Sequence, residues 1–170
     1  TIGALDAFKK SGKEISIVQL DAHTDSRDNL FGSKYMHATV MARAAEMFNN
    51  IVHVGIRSID QEYAKTCNKE RVFFADSLHE NLDDVIKKVN KLTTKEIYLT
   101  IDLDVLDPSI MPSVGTPEPN GLSFAEATKF IKGISKEKNL VGFDIVELNP
   151  IPGIEAPDYT AAKLAYLTIG

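Results

Sequence analysis

Three apolar runs in this chain each stop at an acidic residue. Ile15-Ser-Ile-Val-Gln-Leu20 stops at Asp21, Ile97-Tyr-Leu-Thr-Ile101 at Asp102, and Leu140-Val-Gly-Phe-Asp-Ile-Val146 at Glu147. Runs this rich in β-branched and aliphatic residues, with so little polar alternation, predict strands covered on both faces, as in a parallel sheet. Ile51–Gly55 reads the same way, and Val72–Phe74 is a shorter candidate. Amphipathic patterns lie between the runs. Leu82, Val85, Ile86, Val89 and Leu92 recur at helical spacing behind a Ser77/Glu80 capping-box signature. Ser123 and Glu126 repeat the signature before Phe130, Ile131 and Ile134, and His37–Phe48 and Pro157–Ile169 are further helix candidates. This alternation predicts one α/β layered domain over residues 1–170, built on a mainly parallel sheet. Such folds bind ligands beyond the carboxyl ends of their strands. One acid there means little; three together point at one site.

Composition narrows the ligand. The 170 residues carry 24 acidic and 19 basic side chains, a net charge of −5, with no basic block. That argues against a nucleic-acid partner and suits a small cation. Cys67 is the only cysteine, so neither an intrachain disulfide framework nor a thiolate metal cluster is expected. The apolar stretches are strand-sized, so no membrane span is expected. No signal-peptide pattern opens the chain, and a cytoplasmic location is the expectation. The chain begins at Thr1 and enters structure at once, as a fragment does.

Asp21-Ala-His-Thr-Asp25 places Asp21, His23 and Asp25 at every second residue. On an extended segment these side chains leave from one face. Carboxylates mixed with one imidazole suit Mn²⁺, Fe²⁺, Co²⁺ or Zn²⁺ better than Ca²⁺. The ordinary reading of a lone aspartate here is a helix cap; Asp-x-His-x-Asp directly after a buried strand favours metal. Asp102-Leu-Asp104 repeats the pattern, while Asp107-Pro108 reads as a turn cap. Asp21, Asp25, Asp102 and Asp104 supply four negative charges, which two divalent ions cancel. Paired metals lie about 3.5–4 Å apart in enzymes of this kind and lower the pKa of bound water from about 15.7 to near 7.

Glu147, in Asp144-Ile-Val-Glu-Leu-Asn-Pro150, offers a carboxylate able to make two hydrogen bonds to a guanidinium. Asp144 reads as a buried structural group or a support for the site. Among the histidines, His53 alternates with Val52 and Val54 and reads as a core residue, and His79 as exposed. His37 follows a polar, glycine-containing loop and is placed to shuttle protons. Ser113–Gly121, rich in proline and glycine, reads as a stiff loop beyond the Asp102/Asp104 strand.

Taken together, D-A-H-T-D at 21–25, I-D-L-D-x-L-D-P at 101–108, G-T-P at 115–117 and D-I-V-E-L-N-P at 144–150 resemble the ureohydrolase family of arginase, agmatinase and relatives, in the family's order. The resemblance implies a three-layer α/β/α sandwich and two Mn²⁺ ions. It implies that Asp21 and Asp102 bridge both metals, Asp25 completes one site, and His23 and Asp104 the other. His37 takes the proton-shuttle position and Glu147 receives the guanidinium, while a hydroxide attacks the guanidino carbon to release urea. It further implies a homo-oligomer, a trimer or hexamer. The family's sixth ligand, a histidine in a Gly-Gly-(Asp/Glu)-His motif, has no counterpart, since no histidine precedes His23. In the family that motif lies just before a stretch like Thr1-Ile-Gly-Ala, so this chain is expected to start past it. Arginase-like members carry an asparagine where Arg27 stands here, and Gly55-Ile-Arg-Ser-Ile-Asp60 and His37-Ala-Thr39 look more like agmatinase. Agmatine is therefore the expected substrate. The alternatives are an arginase or guanidinobutyrase, a single-zinc deacetylase of related fold, and an inactive metal-binding or assembly fragment.

Overall fold

A computed structural model describes residues 1–170. Five parallel strands form one sheet: β1 (Ser16–Leu20), β2 (Ile51–Ile56), β3 (Val72–Phe74), β4 (Glu96–Asp102) and β5 (Asn139–Val146). Their order is β3-β2-β1-β4-β5. The chain leaves β1 toward β2 on one side and later returns to pair β4 on the other side. The crevice beyond β1 and β4 is thus the point where strand order reverses, the usual ligand site of an open α/β sheet.

Helices cover both faces. On one side, α4 (Ala75–Leu92), α5 (Phe124–Ser135) and α6 (Ala156–Ile169) pack on Val18, Leu20, Leu99 and Ile101. On the other, α1 (Ile2–Lys10) and α2 (Val40–Ala45) enclose Ile17 and Tyr98 with Leu5, Met41 and Phe48. Successive β1 residues thus feed opposite cores, which is why the run shows no polar alternation. The result is the three-layer α/β/α arrangement expected.

Several local expectations change. The helix expected to follow Ser77 begins at Ala75, because β3 runs straight into it from an extended Phe74. It breaks at Asn81 (φ −157°, ψ 82°), whose Oδ1 accepts the Asp84 N–H at 3.1 Å and recaps the second half. The Ser123/Glu126 capping box does form. The helix expected over His37–Phe48 is a 3₁₀ turn, His37–Thr39, followed by a short α2. Thr39 is non-helical (φ −120°, ψ 1°), and its Oγ1 donates to Lys34 and Met36 carbonyls instead. β5 is half-buried rather than buried, because it is the edge strand. Two helices escape the sequence reading. One is α1; the other is α3 (Gln61–Thr66), which Asp60 caps by accepting the Glu62 and Tyr63 N–H groups.

Candidate metal centre

The acids at the strand ends converge. Asp21 follows β1 and is 3% exposed; Asp102 ends β4 at 4% and Asp104 follows at 2%. The local geometry is not the extended strand that the spacing suggests. Asp25 sits in the left-handed region (φ 46°), and Leu103–Val105 is a 3₁₀ turn whose first N–H groups are capped by Asp102, which accepts the Asp104 N–H at 2.9 Å. The turn carries Asp104 back toward β1, where its Oδ1 accepts the Ala22 N–H at 3.0 Å and its Oδ2 meets His23 Nδ1 at 2.9 Å.

Two ligand triads result. Asp21, His23 and Asp104 form one, and Asp21, Asp25 and Asp102 the other; in each, one donor atom per residue lies within 4.8 Å of the others. Asp21 belongs to both triads and Asp102 to the second. Electrostatics favour a cation among these groups. Burial, followed by the charges of Asp21 and Asp104, pushes Asp102 up to about 11. Burial likewise raises Asp21 to about 7 and Asp25 to about 8. Hydrogen bonds to Asp104 and then Asp21 raise His23 to about 10, making the imidazolium the local counter-charge. Burial opposes ionisation of Asp104, but hydrogen bonds from His23 and the Ala22 N–H hold it below the ordinary range. Three buried carboxylates, the half-buried Asp25 and one imidazole make a donor set that fits two divalent cations of intermediate hardness.

A cavity of about 660 Å³ opens over the triads and is lined by His23, Asp25, Asp102 and Asp104 together with His37 and Glu147. His37 stands on the 3₁₀ turn before α2, exposed at the mouth. Glu147 leaves β5 in the left-handed region (φ 66°), which turns its carboxylate toward Gly115; a Cβ there would lie 3.5 Å from Glu147 Oε2. Left-handed backbone at a non-glycine residue is uncommon and clusters at functional sites. Gly115 and Thr116 of the proline-rich loop form part of the wall. Arg27 also lines the cavity, with its Nε 3.2 Å from Asp60 Oδ2.

Other expected groups lie elsewhere. Asp107 caps its turn, accepting from Ser109 and the Gly121 N–H. Asp144 accepts the Tyr98 hydroxyl at 2.9 Å on the face packed by α1 and is no part of the centre. His53 is buried, and His79 pairs with Glu126 at the surface.

Supporting residues were not singled out by the sequence. Arg57 donates to the carbonyls of Gly55, Val105, Asp104 and Glu118, tying β2, the Asp104 turn and the proline-rich loop together. Ser58 Oγ donates to Glu118 Oε1 at 2.6 Å, beside His23. Gln19, the one amide in its apolar run, donates to Asp21 Oδ2 at 2.6 Å.

Comparison with known proteins places the chain. The model of the arginase family matches residues 1–170. An N(1)-aminopropylagmatine ureohydrolase of Synechocystis is 37% identical over 173 residues, covering 100% of this chain and 56% of that protein. An agmatinase of Pyrococcus horikoshii is 35% identical over 155 residues, covering 91% of this chain and 54% of that protein. The chain thus spans little more than half the length of these relatives. The crystal structure of an agmatine ureohydrolase of Thermoplasma volcanium superposes with a TM-score of 0.83 at 29% identity, covering 99% of this chain and 65% of that one. An arginase of Bacillus subtilis shares the fold, with a TM-score of 0.85 at 24% identity, over 99% of this chain and 67% of that one. On sequence and fold together, the chain belongs to the arginase family.

Proposed function

We propose that this chain carries the catalytic centre of a ureohydrolase that cleaves a linear guanidino-amine, agmatine before arginine. The observation that supports this most is the pair of triads sharing Asp21 under a cavity that also holds Glu147 and His37. Asp21, His23, Asp25, Asp102 and Asp104 would hold two divalent ions, for which Mn²⁺ is the proposal. Ions held there supply Lewis acidity and acidify water into a nucleophile at neutral pH.

The chain's own groups do the rest. Glu147 accepts two N–H bonds from the planar guanidinium and holds its carbon over the triads. Water oxygen bonds to that carbon, the C–N bond to the alkyl amine breaks, and urea leaves. His37, exposed at the mouth, delivers a proton to the departing amine nitrogen. Burial of the aspartates keeps their field undiluted by solvent.

Agmatine is favoured over arginine because Arg27, at the cavity wall, is engaged with Asp60 and offers no acceptor to an α-ammonium group. A longer substrate is the second reading, favoured by the name of the Synechocystis relative, an N(1)-aminopropylagmatine ureohydrolase. Replacing Glu147 with glutamine tests the assignment. Its expected effect is a loss of urea release from agmatine with metal uptake unchanged; undiminished turnover would remove Glu147 from the reaction.

A further inference from the structure

Behind the shared aspartate runs a line of hydrogen bonds whose direction is set at both ends. Gln19 Nε2 lies 2.6 Å from Asp21 Oδ2 and 3.3 Å from the His23 carbonyl. Both are acceptors, so the Gln19 amide nitrogen faces the centre and its oxygen faces away. That oxygen meets His53 Nδ1. An amide oxygen only accepts, so His53 carries its proton on Nδ1. Burial holds His53 far below the ordinary histidine range, at about 4, so it is neutral and its Nε2 is an acceptor. Tyr63 Oη, 2.8 Å from Nε2, must then be the donor. The hydrogens all point one way, from Tyr63 to His53 to Gln19 to Asp21. The fold builds the middle link: Gln19 and His53 are register partners on β1 and β2.

The line ends on the residue that both triads use. A carboxylate has about four lone-pair positions. In Asp21, Oδ2 accepts from Gln19 and Oδ1 accepts the His23 N–H at 2.6 Å. One position on each oxygen remains, one for each of two cations. We propose that Tyr63, His53 and Gln19 form a positioning relay that orients Asp21 so that one carboxylate serves two divalent ions. The relay rests on the metal-centre reading above. Its outer end is reachable: Tyr63 is half-buried and, with His53, lines a second cavity of about 310 Å³ on the side of the sheet that α2 covers.

The test exchanges the ring for amides that keep or lose the inner donor. In His53→Asn the amide nitrogen stands at the Nδ1 position and still donates to Gln19; in His53→Gln it stands at the Nε2 position and does not. Tyr63→Phe removes the outer donor without a buried substitution. The full-length protein, stripped of metal, is titrated with Mn²⁺ against a chelating dye and with Co²⁺ by visible absorption. Fold is checked by circular dichroism. The expected result is wild-type stoichiometry and Co²⁺ spectrum for His53→Asn. For His53→Gln a 10–100-fold weaker affinity, with an altered spectrum, is expected; Tyr63→Phe should fall between. Equal affinity and spectra in folded His53→Asn and His53→Gln, or in Tyr63→Phe and wild type, would overturn the relay. A wild-type protein that takes up no divalent ion would remove the metal-centre reading and the relay with it.

Discussion

His23 Nδ1 lies 2.9 Å from Asp104 Oδ2, although 81 residues separate them in the chain. The contact joins the ends of β1 and β4 at the point where strand order reverses. It also pairs the His23 imidazolium with a carboxylate that its hydrogen bonds keep ionised, while burial raises the pKa of the neighbouring Asp21, Asp25 and Asp102. Divalent cations at the triads would compensate these carboxylates better. Metal should therefore stabilise the fold by mass action, by about 2.7 kcal/mol at a hundredfold excess over Kd. For a chain of this size that is roughly 5–10 °C in Tm. Calorimetry of Mn²⁺-loaded protein with and without EDTA checks it, and an unchanged Tm would contradict the clustered-aspartate site.

Arg57 holds three segments by donating to four carbonyls. Lysine lacks the planar fork and cannot reach them all. Arg57→Lys should cost about 2–3 kcal/mol, since buried acceptors lose charge-assisted partners. It should also loosen Glu118 and Asp104 and weaken metal affinity. Urea denaturation and a metal titration on the same variant measure the two effects. A variant as stable as wild type would show that the four bonds hold nothing that matters.

Gly55 interrupts the register between β2 and β3 with φ +91°. A Cβ there would lie 2.6 Å from Val105 Cγ2 and 3.3 Å from the Asp21 carbonyl. Gly55→Ala thus combines backbone strain with a clash beside the centre and should cost at least about 2–3 kcal/mol. Gly12, with φ +72° and nothing within 4 Å of its Cβ position, is the control and should cost only about 1 kcal/mol. Equal losses in the two variants would mean that Val105 moves aside freely.

His53 makes stability depend on pH with a definite sign. Its folded pKa is depressed by burial from 6.5 to about 4. The unfolded chain therefore binds the extra proton first as pH falls. The contribution is complete above about pH 6.5 and disappears progressively between pH 6.5 and 4. Its full size is about 3 kcal/mol. The difference in unfolding free energy between wild type and His53→Asn should accordingly shrink on going from pH 7 to pH 4.5. A difference independent of pH would mean that His53 is charged, or solvated, in the fold.

Strand placement was legible because burial on both faces leaves an unbroken apolar run, as in Ile97–Ile101. The converging acids were legible because each such run ends at one. The route by which they converge was not. Spacing placed Asp102 and Asp104 on one extended face, whereas a 3₁₀ turn swings Asp104 to His23. Nothing in the sequence marks Asp25 as left-handed, since aspartate adopts that conformation without a glycine to announce it. The supporting residues depend on strand order and register, which no single run encodes. Gln19 finds His53 only because β1 and β2 pair in parallel at that register. Arg57 reaches Glu118 only once the proline-rich loop is laid over β2. The helix break at Asn81 was hidden in the same way: the apolar spacing continues straight through it.

In the proposed function the two triads, Glu147 and His37 form one hydrolytic centre for a guanidino-amine. Urea release from agmatine, aminopropylagmatine and arginine in parallel, with full-length protein and added Mn²⁺, tests it most directly. Urea is expected from agmatine or its aminopropyl derivative, little from arginine, and none after Glu147→Gln. Urea from none of the three, in a protein that demonstrably binds two divalent ions, would contradict it.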